Sequence, residues 1–155
     1  MASITGRLAN LMSRRLPWLG RKGTQRQIAQ FRKSKGAKGN KLLGKPVFLL
    51  DVVGRTSGEP RPVMLMLIRR DDDVIVVGSN AGNPTTPNWY RNLEAAGGAH
   101  VEIGAERWPV TFRELEDGPE RDECWKLATA GYPDFDSYQE LTDRRIPVGL
   151  LSRHS

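Results

Sequence analysis

Several things are scarce or missing in this chain, and each absence narrows what it can be. Its 155 residues hold one cysteine, Cys124, so no disulfide can close within the chain, which fits a reducing compartment. Only two histidines occur, His100 and His154, far apart and without cysteine or carboxylate partners at ligand spacing, so no metal site is expected. No apolar run approaches the roughly 18 to 20 residues of a membrane span. Neither G-x-G-x-x-G nor G-x-x-x-x-G-K-[ST] occurs, which removes the main support for a dinucleotide fold or a P-loop. The start lacks the long apolar region and small-residue cleavage site of a secretory signal, so export is not expected. Acidic residues are absent from the first third: residues 1–50 hold twelve Lys or Arg and no Asp or Glu, and residues 51–155 hold twelve against eighteen. The net +6 therefore divides into +12 on an N-terminal arm and −6 on the body.

A basic arm is drawn to anionic lipid, nucleic acid or an acidic partner. Ile4, Leu8, Leu11 and Met12 recur in it at helical spacing among Arg7, Arg14 and Arg15, until Pro17 interrupts the pattern beside Leu16, Trp18 and Leu19. Two readings fit residues 1–20: a basic amphipathic segment on an anionic membrane surface, or a flexible or packed helix with solvated charges. The Arg-rich, acid-free start also resembles an organelle transit peptide. Nucleic acid is not expected, because the body is acidic and no aromatic residues interleave with basic ones on a strand face. A second helical stretch after Thr24 runs through Ile28 and Phe31. It leads to a lysine-rich loop, Ser34 to Lys41, read as mobile or as folding over an anionic ligand.

The rest suits one domain, large enough to bury roughly 70% of its unfolded surface. Strands are expected at Val47–Val53, Arg61–Arg70, Val74–Ser79, His100–Ile103, Arg107–Leu115 and Ile146–Leu151, with Asp71-Asp72-Asp73 as a solvated hairpin turn. Helices are expected from Pro87, from Gly118-Pro119 and over Asp134–Leu141. Hairpin-linked strands with few helices predict an α+β protein around a closed sheet. The arm takes residues 1–42 and the sheet domain 43–155.

Two segments carry the chemistry. In Gly54-Arg55-Thr56-Ser57-Gly58-Glu59-Pro60-Arg61, the glycines can take positive φ, Thr56 and Ser57 offer hydroxyls and N–H groups, and two guanidiniums flank the turn. Guanidinium forks hold phosphate or carboxylate in two-point contact, though a hairpin turn with solvated arginines fits equally. In the second segment, Thr86 is expected to cap a helix whose first residue is Pro87 and which stops at Gly97-Gly98. Its first turn attracts an anion or a polarised carbonyl. Trp89 and Leu93, four apart, are expected toward the core, and Asn88 and Asn92 share a face open to a ligand.

Read in order, these segments resemble the deazaflavin-dependent nitroreductase family, whose members use coenzyme F420. The marks are the G-R-x-[ST]-G-x-x-R turn at Gly54 to Arg61, Ser79 and Gly82 before Asn83 to Leu93, and Tyr138-Gln139 followed by Thr142 to Pro147, within a likeness from about Lys45 to Leu151. The resemblance implies a split β-barrel like that of flavin-mononucleotide-binding relatives, and hydride transfer from reduced F420 to a quinone, enone or nitro-aromatic. It implies that Arg55, Thr56, Ser57 and Arg61 meet the acidic tail of the cofactor, that the backbone at Met64 and Leu65 meets the ring edge, and that Ser79, Asn80, Ala81, Gly82, Asn88, Trp89 and Asn92 line the remaining groove. Phe135 and Tyr138 would shape the acceptor pocket, with Tyr138 orienting the acceptor or donating a proton; a buried, merely satisfied phenol is the other reading. Four positions depart from the pattern: Met64 stands where proline is usual, Asn80 and Ala81 where a lysine and a glycine are, and Phe135 where a tyrosine is.

Two alternatives stay open on the same barrel: an enzyme using FMN, and a non-catalytic carrier of a flavin or amphiphile. The expected partners are a small-molecule acceptor, in one reading a membrane quinone, and a second copy in a homodimer. The expected place is the cytoplasm, with peripheral attachment to the inner face of the membrane through the arm.

Overall fold

The computed structural model describes the backbone of residues 2–15 and 17–154; the side chains of 13–23 are outside the described residues, so the expected interfacial roles of Leu16, Trp18 and Leu19 fall outside them. Helices α1 (Ile4–Arg15) and α2 (Pro17–Lys33) form the arm, α2 beginning at the proline that breaks the pattern of α1. Eight strands follow: β1 (Lys41–Leu42), β2 (Lys45–Val53), β3 (Pro60–Met66), β4 (Arg69–Arg70), β5 (Asp73–Val77), β6 (Gly98–Ile103), β7 (Glu106–Glu114) and β8 (Val148–Arg153). Helix α3 (Asn88–Ala96) lies between β5 and β6, and α4 (Pro119–Gly131) and α5 (Asp134–Glu140) lie between β7 and β8.

All strand pairs are antiparallel: β2 lies between β3 and β6, and β8 lies between β7 and β5. The strand expected over Arg61–Arg70 is in fact two, because the ladder breaks at Leu67–Ile68. Leu67 N still donates to Pro46 O at 3.0 Å, and Ile68 O accepts from Ile75 N at 2.8 Å. The bent β3–β4 segment therefore pairs with β2 at one end and β5 at the other, and the sheet curls into the split β-barrel of an α+β protein.

Strands β2 and β5 read as largely apolar runs because both of their faces are buried. Phe48, Leu50 and Val52 join Val74, Val76, Tyr90, Leu93 and Leu151 in one core. Between them, Leu49 turns the other way onto Ile28 and Phe31 of α2. Ile75, Val77, Val148 and Leu150 build a third cluster with Cys124, Ala128, Phe135 and Tyr138. Each such fully buried Leu, Ile or Phe contributes roughly 1.5–3 kcal/mol, so α2 belongs to the packed body even though it begins as a basic arm.

Helix α3 starts one residue later than expected. Pro87, in extended conformation, is its N-cap, and no side chain caps the helix, so Thr86 does not play that part. Its end is as expected, with Gly97 left-handed at φ 71°. Among the described residues no helix is long and apolar enough to cross a membrane.

Candidate functional site

A cleft of about 480 Å³ opens between β3, β5, the start of α3 and the α4–α5 corner. Its walls are largely apolar, and they include Met64, Leu65, Ser79, Asn80, Ala81, Trp89, Phe135 and Tyr138 of the residues expected to serve a site. Strand β3 pairs only with β2 among the described strands. Successive N–H groups along a strand alternate in direction, so one of those at Met64 and Leu65 points away from β2, free to meet a polar ring edge.

The far wall is aromatic. Tyr132 stacks edge-on against Phe135 with ring centroids 5.0 Å apart, and Phe135 meets Tyr138 in the same manner at 6.4 Å. The hydroxyls of Tyr132 and Tyr138 are 3.0 Å apart. Burial, followed by this hydrogen bond, pushes the Tyr138 phenol well above its ordinary range, so it stays protonated. Tyr132 was not anticipated; its only signal is the spacing Tyr132-Pro133-Asp134-Phe135, which puts a second ring across the corner from Tyr138. The mouth also takes Thr24 of α2 and Leu42 of β1.

The turn between 79 and 83 separates this cleft from a smaller hollow of about 360 Å³ lined by Asn80, Thr85, Thr86, Pro87, Asn88 and Arg91. Asn80 and Pro87 border both, so the cleft and the hollow lie side by side across this turn. Asn80, Ala81 and Gly82 are all left-handed, with φ of 47°, 52° and 75°. For a non-glycine residue that conformation costs roughly 1–2 kcal/mol. Gly82 is required twice over, since a Cβ there would lie 2.8 Å from Tyr138 O.

The arginine turn does not line the cleft. It is drawn instead to α3: Arg55 N donates to Asn92 Oδ1 at 3.1 Å, and the Arg55 guanidinium reaches Asn92 Oδ1 at 2.7 Å, Asn88 Oδ1 at 3.3 Å and Asn88 O at 3.4 Å. Asn92 is thus buried against the turn, while Asn88 is exposed and borders the hollow as well as bonding Arg55. This arrangement sets an exposed guanidinium beside the hollow that holds Arg91, a cation the sequence reading passed over. Arg61 stands further out, 4.0 Å from Glu59. Ser57 Oγ accepts from Glu59 N at 3.2 Å and Thr56 is exposed. Of the two turn glycines only Gly58 has positive φ, 70°. Gly54 is needed for space, because a Cβ would stand 2.6 Å from Ser57 Oγ. The lysine loop 34–41 borders a separate basic surface, with Ser34 and Lys38 beside Arg26 and Lys33.

The cleft and the hollow therefore set an apolar, ring-lined slot with an available backbone N–H beside a polar end flanked by Arg55 and Arg91. That suits a flat heterocycle carrying an anionic tail. A protein of Mycobacterium tuberculosis (strain H37Rv) described as an F420H(2)-dependent quinone reductase is similar, 30% identical over 128 residues, covering 81% of this chain and 86% of its own. A solved F420-H2 dependent reductase is 40% identical at a TM-score of 0.64, over 69% of this chain and 94% of its own. A second solved structure, described as a domain-swapped dimer, is 34% identical at a TM-score of 0.67, over 88% and 98%. The family profile for F420H(2)-dependent quinone reductases matches residues 23–153, from within α2 to the end of β8, and the chain belongs to that family.

Proposed function

We propose that this chain is an F420H2-dependent reductase that seats the cofactor ring in the cleft, directs the acidic tail along the groove to Arg91 and Arg55, and reduces a quinone held against Tyr138. The observation that supports this reading is the adjacency of a cleft holding a buried phenol pair and a hollow bearing Arg91, with the exposed Arg55 guanidinium bonded to Asn88 at its rim. The bound reduced deazaflavin supplies a hydride, and the protein supplies position, a dry site and a proton. Met64 or Leu65 N–H supports the polar edge of the ring, Trp89 and Ala81 bound its faces, and Ser79, Asn80 and Gly82 shape the neck toward the tail. Thr56, Ser57 and Arg61 extend the anion-binding surface at the exit, while Asn88 and Asn92 act by holding Arg55. Tyr138, kept neutral by burial, donates a hydrogen bond to an acceptor oxygen, with Phe135 filling the slot behind it and Tyr132 in line to relay a proton. Reduction of nitro-aromatics is an incidental activity of the same pocket.

The titration that tests this uses purified protein with oxidised F420, FMN and FAD, followed by ligand fluorescence, with Arg55→Ala and Arg91→Ala as controls. Selective F420 binding weakened by both substitutions is expected, together with oxidation of F420H2 by a soluble naphthoquinone. Selective FMN binding would keep the barrel and change the chemistry, and tight binding without hydride transfer would leave a carrier.

The quinone is a membrane quinone in this reading, and α1 supplies the attachment. Its inward face is small: a Cβ on Gly6 would lie 2.9 Å from Ser137 Cβ, and Ala9 packs on the cluster around Phe135. Its large apolar residues point out, Ile4 being 87% and Leu8 56% exposed. Such a face beside Arg7, on an arm carrying +12, suits an anionic bilayer. Phosphatidylglycerol vesicles should sediment the protein while phosphatidylcholine vesicles do not, and Ile4→Ser with Leu8→Ser should abolish the difference without changing F420 affinity. Membrane attachment then rests on the outer face of α1, at the inner face of the cell membrane, while the later part of the 1–42 arm packs on the 43–155 barrel. The domain-swapped dimer among the solved relatives supports a homodimer, which light scattering would report as twice 17.3 kDa.

A further inference from the structure

The left-handed turn at 80–82 is held from two sides by residues that do not line the groove. From the C-terminal side, the Arg144 guanidinium donates through Nε to Asn83 O at 3.0 Å and through one terminal nitrogen to Gly78 O at 3.1 Å and Ser79 O at 2.9 Å. Its other terminal nitrogen is buried without a hydrogen-bond partner, and among the described residues no carboxylate pairs with it. From the N-terminal side, Asn10 of α1 donates through Nδ2 to Ala81 O at 2.7 Å and to Asn83 Oδ1 at 3.2 Å. Four of the six carbonyls from Gly78 to Asn83 are thereby bound by two side chains, one about 70 residues before the turn and the other about 60 after it. Three successive left-handed residues, two with a Cβ, do not persist unless their surroundings impose the conformation. The helix bearing Asn10 is itself tied to α5: Ser3 N donates to Ser137 Oγ at 3.0 Å and Ser3 Oγ to Asp134 Oδ1 at 2.6 Å.

Resting on the cofactor reading above, we propose that Asn10 and Arg144 are positioning residues that preform the 80–82 wall of the cofactor groove, so that helix α1 is a working part of the site. The same helix that presents Ile4 and Leu8 outward fixes the wall on its inner side. In this chain the turn has Asn80 and Ala81 in left-handed positions that glycine would fill without cost, and the two clamps supply what the local sequence withholds.

The experiment uses the full-length protein and three substitutions. Asn10→Asp keeps the shape and replaces the donor by an acceptor facing two oxygens, Asn10→Gln keeps an amide donor, and Arg144→Lys keeps the charge but not the three-carbonyl bracket. Measured are the F420 dissociation constant, kcat and KM for F420H2 and for a soluble naphthoquinone, and amide hydrogen exchange over residues 78–84. For Asn10→Asp and Arg144→Lys the expected result is a loss of cofactor affinity of about tenfold, with kcat at saturating cofactor within about twofold. Exchange should be faster at 78–84 and unchanged in β2 and β6, and Asn10→Gln should recover part of the loss. Unchanged affinity and unchanged exchange in both variants would overturn the proposal, as would faster exchange spread evenly over the whole barrel. Should the parent protein bind no F420, the cofactor reading fails on its own, and the exchange data alone decide the clamp: faster local exchange supports it, and none overturns it.

Discussion

At one end of the site Phe135 and Tyr138 are buried, Phe135 meets Tyr132 and Tyr138 edge to face, and the hydroxyls of the two tyrosines bond each other. At the other end Arg55 and Asn88 stand in water, and the contacts are hydrogen bonds from a guanidinium to two asparagines 33 and 37 residues away. The first end works by shape and exclusion of water, so its energetics belong to the core. The second works by charge and directed donors, which water and salt weaken. One ligand spanning both would have its ring position set by packing and its affinity tuned by ionic conditions, and changes at either end should be separable.

The largest effect expected from breaking this contrast is at Phe135. Phe135→Ala empties a buried ring site and should destabilise the fold by about 3 kcal/mol, read as a lower midpoint in urea, while residual F420 binding in the folded fraction changes little. Tyr138→Phe keeps the ring and removes the hydroxyl. It should lower kcat by about 100-fold if the phenol is the proton donor, with the F420 dissociation constant unchanged; an unaltered kcat would return Tyr138 to a packing role. Because burial raises the Tyr138 pKa, ionisation of this phenol should cause no loss of rate up to pH ~10, and an alkaline limb well below that would contradict the assignment.

At the polar end, Asn92→Ala leaves the Arg55 N–H and guanidinium without their buried acceptor. A cost of about 1–3 kcal/mol is expected, and F420 affinity should fall with no change in kcat. Raising salt from 50 to 500 mM should weaken F420 binding in the parent and have less effect in Arg55→Ala, which sharpens the assignment of charge to that end.

The smallest effect lies outside both ends, where Arg113 and Arg70 hold the exposed Glu120 carboxylate down to about 2. Stability from this pairing is present above the ordinary carboxylate pKa and is lost as pH falls from about 4.5 toward about 2. Glu120→Gln should therefore melt slightly below the parent at pH 7, and the gap should close in acid.

Much of this was written in local sequence. Val47–Val53 and Val74–Ser79 read as strands because their apolar residues fall on both faces, although β5 ends at Val77, and Gly97 marked the end of α3. The break at Leu67–Ile68 was not legible, since Val63 to Ile68 is one apolar run and only pairing with two different strands divides it. That Asn88 and Asn92 bond Arg55 was not legible, because Arg55 lies far away in sequence. The apolar face of α1 was legible as an amphipathic stripe suited to a membrane surface, but its inward contact was not. Nothing in the pattern told that the small face, Gly6, Ala9 and Asn10, packs on α5 and the 80–82 turn. Arg144 stood in a recognised run, but nothing local told that its guanidinium reaches back to Gly78.

The position of β8 between β7 and β5 has a consequence for synthesis. Strands β2, β3, β6 and β7 can associate as soon as they leave the ribosome, but β5 has its long partner only when Val148 to Arg153 has emerged. Until then the apolar strand Asp73–Val77 offers an open edge, the kind of surface that recruits chaperones or joins neighbouring chains. A pause in translation after Val77 has emerged and before β8 has would lengthen that exposure and should lower the yield of soluble protein.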